Sequence, residues 1–139
     1  TQRRRSVGDG LSQGVGEMKS SDLYWLVGLL EGEGCFTNDP RDFYPVIMLQ
    51  MTDRDVVERA SKLMCGDARI GARNRGHGRK QAYYCQYGGN KAVELMKELL
   101  PHMGIRRAQK ISEVISKSES RPGRIGRRNG IRRKPLWNQ

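Results

Sequence analysis

Residues 26–36 read LVGLLEGEGCF. An apolar run at helical spacing ends in two glutamates, Glu31 and Glu33, interleaved with Gly32 and Gly34. Leu23, Leu26, Val27 and Leu30 form the apolar stripe, Ser21 is placed to cap the helix, and Asp22 suits its first turn. Gly32 and Gly34 are expected to stop it. Gly28 and Gly32 lie four apart on one face, where small residues let a second helix backbone come close. Each glycine costs a helix interior about 0.5–1 kcal/mol relative to alanine, so the pair points to a close neighbour. The glutamates sit at the negative end of the helix dipole, where a carboxylate is disfavoured by some tenths of a kcal/mol. A divalent cation reverses that sign, because carboxylate oxygens are natural magnesium ligands. One copy of this helix end makes a poor site; two copies joined at the glycine face make a good one. The other reading is a solvated helix end with surface glutamates.

Working outward, CFTND (35–39) reads as a short strand broken at Asp39-Pro40. PVIMLQMT (45–52) alternates, with Val46, Met48 and Gln50 on one face and Ile47, Leu49 and Met51 on the other. Thr52 is the expected cap of a helix over about 53–64, with Val56, Val57, Ala60, Leu63 and Met64 inward. ARIGARN (68–74) and QAYYCQYG (81–88) form a hairpin-like pair around the basic loop RGHGRK. Asn90 is the expected cap of a third helix to about Leu100, stopped by Pro101 and Gly104. A last helix over about 105–116 carries Ile105, Ala108, Ile111 and Ile115. Four strands with helices on one face make an α+β layer.

The 139 residues suit one domain, and 36% hydrophobic content is thin enough that part of the chain is expected to lie outside a packed core. The formal charge of +11 is unevenly placed. Residues 1–19 hold four Lys/Arg against two acids and residues 117–139 hold eight against one, which leaves +2 for residues 20–116. The expected organisation is a flexible basic arm (1–19), a folded domain (20–116) and a basic tail (117–139). Such tails usually meet phosphate, or are simply solvated. The three cysteines, Cys35, Cys65 and Cys85, lack metal-ligand spacing, and His77 and His102 are isolated. A zinc site and a disulfide framework are not expected, and a reducing intracellular compartment fits best. No apolar run is long enough to span a membrane, and TQRRRS has no secretory character. An organelle, a bacterial cell and phage-infected cytoplasm all remain open.

The stretch WLVGLLEGEGCF resembles the motif of LAGLIDADG homing endonucleases, whose pattern is close to LAGLIDADG or LAGLIDGEG. Leu26, Gly28, Leu29, Gly32 and Gly34 fit the pattern, and Glu33 falls on the family's metal-binding acid. The element order agrees with the family's αββαββα core over about residues 20–116, which implies a four-stranded antiparallel sheet. A single motif per chain corresponds to the homodimeric form, with Trp25, Gly28, Leu29 and Gly32 at the interface. The resemblance implies Mg²⁺ at Glu33. It also implies Gln50, Arg54 and Arg106, with Arg107 beside it, around the attacking water and the scissile phosphate. Arginine stands at Arg106 where lysine is common, so proton transfer there is doubtful. Glu31 falls on a position more structural than catalytic in the family.

The segment 69–80 carries Arg69, Arg73, Arg75, Arg79 and Lys80 and no acid. Arg69, Gly71 and Arg73 are expected to alternate onto one face, with Tyr84 and Gln86 on the next strand. Thr37, Asn38 and Gln50 complete the expected DNA-facing set. A two-stranded ribbon fits the major groove, and arginine bonds guanine bidentately. The alternative is an exposed hairpin with solvated charges. The leading reading is a site-specific DNA endonuclease that makes Mg²⁺-dependent double-strand breaks as a homodimer. The other is a binding protein on the same fold, maturase-like or ribosome-associated, whose partner is structured RNA. A regulator without catalysis is a third, and the intact acid at Glu33 argues against it.

Overall fold

The computed structural model of the protein describes residues 18–66 and 69–121. Residues 1–17, 67–68 and 122–139 lie outside that set, and with them most of both basic arms and Trp137. The elements run α1 (Ser20–Glu33), β1 (Gly34–Asn38), β2 (Pro45–Met51), α2 (Arg54–Cys65), β3 (Gly71–Arg73), β4 (Ala82–Gly88) and α3 (Asn90–Leu99). A 3₁₀ turn (Leu100–His102) then leads into α4 (Ile105–Glu119). This is the expected α+β order. The last helix runs to Glu119, past its expected end near residue 116.

The four strands form one antiparallel sheet in the order β1-β2-β4-β3. Gly34 pairs with Leu49 and Asn38 with Pro45. Gln50 pairs with Tyr84, which pairs on its other side with Gly71. Side chains alternate across a sheet, so the register sorts two faces. Phe36, Ile47, Leu49 and Cys85 point into the helix layer. There they join Leu26, Leu30, Val57, Ala60, Met64, Leu95, Met96, Leu99, Ile111 and Val114 in a single core. Each of the larger side chains contributes about 1.5–3 kcal/mol through burial. The other face carries Thr37, Val46, Met48, Gln50, Tyr84, Gln86 and Arg73. Val46 and Met48 are buried there but stand outside the core cluster.

Several local expectations change. Helix α1 starts at Ser20 with no side-chain cap; Asp22 lies in its first turn, as expected, and faces Arg59 of α2 at 3.7 Å. Asp53, not Thr52, precedes α2, and Asn90 is the first residue of α3, after Gly89. Neither Gly32 nor Gly34 is left-handed, so α1 ends without a glycine turn. Gly34 is extended at φ −78° and donates its N–H to the Leu30 carbonyl. A Cβ at Gly34 would lie 2.8 Å from Leu30 Cδ2 and 2.9 Å from its carbonyl oxygen. That glycine is therefore required for close approach, and the helix passes straight into β1 with Glu33 as its last residue. Helix α2 does stop conventionally, at Gly66 with φ 82°. Ile105, expected inside, is 81% exposed, and Val114 takes the buried place on α4.

Candidate active site and nucleic-acid interface

The end of α1 and the start of α4 meet. Gly104, which precedes α4, donates its amide to Glu31 Oε1 at 2.8 Å. Arg107 Nε donates to the Glu31 backbone carbonyl at 2.9 Å. Glu31 is thus occupied within the chain. Glu33, two residues on, is exposed and makes no hydrogen bond or ion pair among the described residues. Arg106 is likewise exposed and without such a partner. Both charges stand where helix electrostatics disfavours them, an acid at a C-terminus and a cation at an N-terminus.

Gln50 stands in β2 at the same corner, one residue beyond the Leu49 that pairs with Gly34. It is half-buried on the face opposite the helices. Arg54 departs from its expected role. Its Nε bonds Glu58 Oε2 at 3.0 Å, and its guanidinium sits 5.6 Å from the centre of the Tyr83 ring, on the helix side of the sheet. The Arg54–Glu58 pair is 62% and 39% exposed, so it adds little stability. Magnesium binds through one or two carboxylates, waters and substrate phosphates. Glu33 fits as one hard-oxygen donor. Among the described residues no group of three or more His, Cys, Asp or Glu could hold a metal.

The sheet face carries half of the expected DNA-facing set. Thr37, Gln50, Arg73, Tyr84 and Gln86 share it. The Oε1 of Gln86 is buried with no hydrogen-bond partner. Arg75, Arg79 and Lys80 are exposed on the connection between β3 and β4, which turns at Gly76 (φ 104°) and Gly78 (φ 78°). Asn74 Oδ1 accepts the Gly76 amide at 2.9 Å and tightens that turn. Arg69 does not join the alternation. Strand β3 spans only Gly71–Arg73, and Arg69 precedes it, its carbonyl accepting Ser61 Oγ at 3.0 Å. Asn38 is also corrected. It points into the helix layer, where Nδ2 donates to the carbonyls of Phe43 (3.0 Å) and Val114 (3.1 Å). It joins β1, its loop and α4, and faces away from the Thr37 side.

On α1, Gly28 and Gly32 are exposed, and a Cβ built on either meets nothing within 4 Å. Trp25, expected beside them, turns to α2, where the Arg59 guanidinium lies 4.0 Å from its ring centre. Leu29 is half-buried against the core. Tyr24, which the sequence reading passed over, is 58% exposed on the glycine side and packs edge-on against His102. The contacts of Glu31 were also missed. Gly104 is 73 positions away, and no local signal marks it.

No family model and no curated protein matches the chain. Solved structures do. The homing endonuclease I-CvuI, in complex with its target in the presence of 2 mM Ca, is similar at a TM-score of 0.58 and 15% identity, over 76% of this chain and 72% of that one. The archaeal intron-encoded homing endonuclease I-Vdi141I, complexed with DNA, is similar at a TM-score of 0.50 and 14% identity, over 87% and 93%. Element order, sheet topology and these likenesses agree: the chain has the LAGLIDADG homing-endonuclease fold.

Proposed function

We propose that the protein is a site-specific DNA endonuclease that cuts both strands as a homodimer with Mg²⁺ held at Glu33. One observation carries this reading. A carboxylate and an arginine, neither with a partner among the described residues, stand on two helix ends tied together through Glu31 and Arg107. Magnesium, when bound, supplies an activated water and neutralises phosphate charge. Glu33 provides the protein oxygen donor, and a second copy provides the second carboxylate. Gln50 orients water through its amide. Arg106 holds the phosphate as a fixed cation, since arginine does not release its proton. The sheet face and the 74–81 loop lie along the duplex, and Gln86 and Tyr84 meet base edges.

The open Gly28–Gly32 face supports the homodimer, because a helix apolar on most sides is expected to be covered. A two-fold dimer imposes a roughly palindromic target. I-Vdi141I, of similar fold, is complexed with DNA, and I-CvuI with its target, which favours DNA as the partner here. The test is Mg²⁺-dependent cleavage of a randomised duplex library by the wild-type chain and by Glu33→Gln. Double-strand cuts by the wild type, reduced about 10³-fold or more in the variant, are expected, a loss of about 4 kcal/mol of transition-state stabilisation. Absent cleavage together with tight, salt-sensitive binding to structured RNA would replace this reading with the RNA-binding one.

A further inference from the structure

The two glutamates that close α1 have opposite fates, and the difference is structural. The last carbonyls of α1 and the first amides of α4 are orphan groups that each helix leaves unpaired. Gly104 has no side chain with which to cap α4, and α4 has no side-chain cap of its own. Glu31 fills that role from the other helix, accepting the Gly104 amide at 2.8 Å. In return Arg107, in the first turn of α4, donates to the Glu31 carbonyl at 2.9 Å, one of the orphan acceptors of α1. A carboxylate thus lies at a helix N-terminus and a guanidinium at a helix C-terminus, the favourable sense at both ends. Glu33 sits two residues past Glu31, Arg106 sits between Gly104 and Arg107, and both have the unfavourable sense.

We infer that Glu31 and Arg107 form a reciprocal cap between α1 and α4, and that this cap positions Arg106 relative to Glu33. Glu31 is then a positioning residue and not a metal ligand. The inference rests on the nuclease reading for its catalytic consequence, while the cap itself does not. It also explains why glutamate at position 31 is consistent with activity: its carboxylate must span from α1 to a backbone amide of α4. A Cβ at Gly104 would lie 3.3 Å from Glu31 Oε2, so the residue that receives the cap is also constrained in size.

The test compares Glu31→Gln, Glu31→Ala, Arg107→Met and the double variant Glu31→Ala/Arg107→Met in the full chain. Amide hydrogen exchange at Gly104 is the first readout. Cleavage of a library-selected duplex is the second, with kcat, KM for DNA and the half-saturating Mg²⁺ concentration measured separately. Glutamine keeps the acceptor oxygen, so Glu31→Gln should rescue both Gly104 protection and kcat to within about threefold of wild type. Glu31→Ala should speed Gly104 exchange at least tenfold and lower kcat 10–100-fold, with the Mg²⁺ requirement unchanged. Arg107→Met should lower kcat similarly from the opposite helix, and the double variant should lose no more than the larger single. A Glu31→Gln variant that needs much more Mg²⁺ would make Glu31 a ligand and overturn the inference. Wild-type Gly104 exchange in Glu31→Ala, or fully additive losses, would also overturn it. An inactive wild-type chain would overturn the nuclease reading and the positioning role, while the exchange result would still decide the cap.

Discussion

The ring of Tyr84 occupies the space that a side chain at Gly71 would need. A Cβ built at Gly71 would lie 2.3 Å from Tyr84 Cζ and 2.5 Å from its hydroxyl. The two residues are paired across β3 and β4, on the face opposite the helices. Gly71 therefore fixes where an aromatic side chain lies on the proposed nucleic-acid face. Gly71→Ala should expel the ring, at a cost of about 1–3 kcal/mol for overpacking. Duplex affinity should fall more than stability requires, and Tyr84→Phe should retain the affinity that the ring position supplies. Denaturant midpoints and titrations at fixed salt measure both.

The open side of α1 separates monomer folding from assembly. Nothing lies within 4 Å of a Cβ at Gly28, so Gly28→Leu meets no obstacle inside the chain. Helix propensity alone predicts a gain of about 0.5–1 kcal/mol in the monomer. A homodimer closed on this face loses its close backbone approach. Sedimentation equilibrium should report a dimer for the wild type and a monomer for the variant, with an unchanged circular dichroism spectrum. A dimeric variant would place any self-association elsewhere on the molecule.

Asn38 should matter for stability and not for DNA. Its Nδ2 serves the carbonyls of Phe43 and Val114 together. Asn38→Ala removes two hydrogen bonds that join β1 and its loop to α4, at a cost of about 0.5–1.5 kcal/mol each. Thr37→Ala, one residue away and on the opposite face, should show the reverse pattern of near-normal stability and weaker duplex binding. Chemical denaturation and salt-controlled titration of the two variants side by side distinguish the faces.

Burial pushes the Cys85 thiol up to about 12, with nearby Cys65 adding a smaller push in the same direction. An unfolded cysteine titrates near 8.5. The folded state therefore holds its proton where the unfolded state has released it. This contribution is fully present below about pH 8.5 and is lost as pH rises towards 12. Stability should fall across that alkaline window, and Cys85→Ala should flatten the slope while lowering the plateau. Exposed Cys35 should react with a thiol reagent in the native chain, and Cys85 only after unfolding.

Much of this protein was legible one residue at a time. Alternation in PVIMLQM assigned the two faces of β2 correctly, because a side-chain period of two leaves no freedom once one face is buried. The stripe in α1 and the breaks at Pro101 and Gly104 located helices within a residue or two. The motif acid Glu33 stood out because its charge opposes its helix end. Tertiary structure alone decided the rest. Arg69 looked like part of a strand until β3 proved to be Gly71–Arg73. Trp25 found Arg59, and Asn38 found Val114, because α2 and α4 pack where no local pattern could place them. The two glutamates of one short motif look alike in sequence. They separate only when a glycine amide 73 residues away arrives to bond Glu31 and leaves Glu33 exposed. Local periodicity is dictated by backbone geometry, whereas a partner for a charge depends on which distant groups the packed core brings within hydrogen-bond reach.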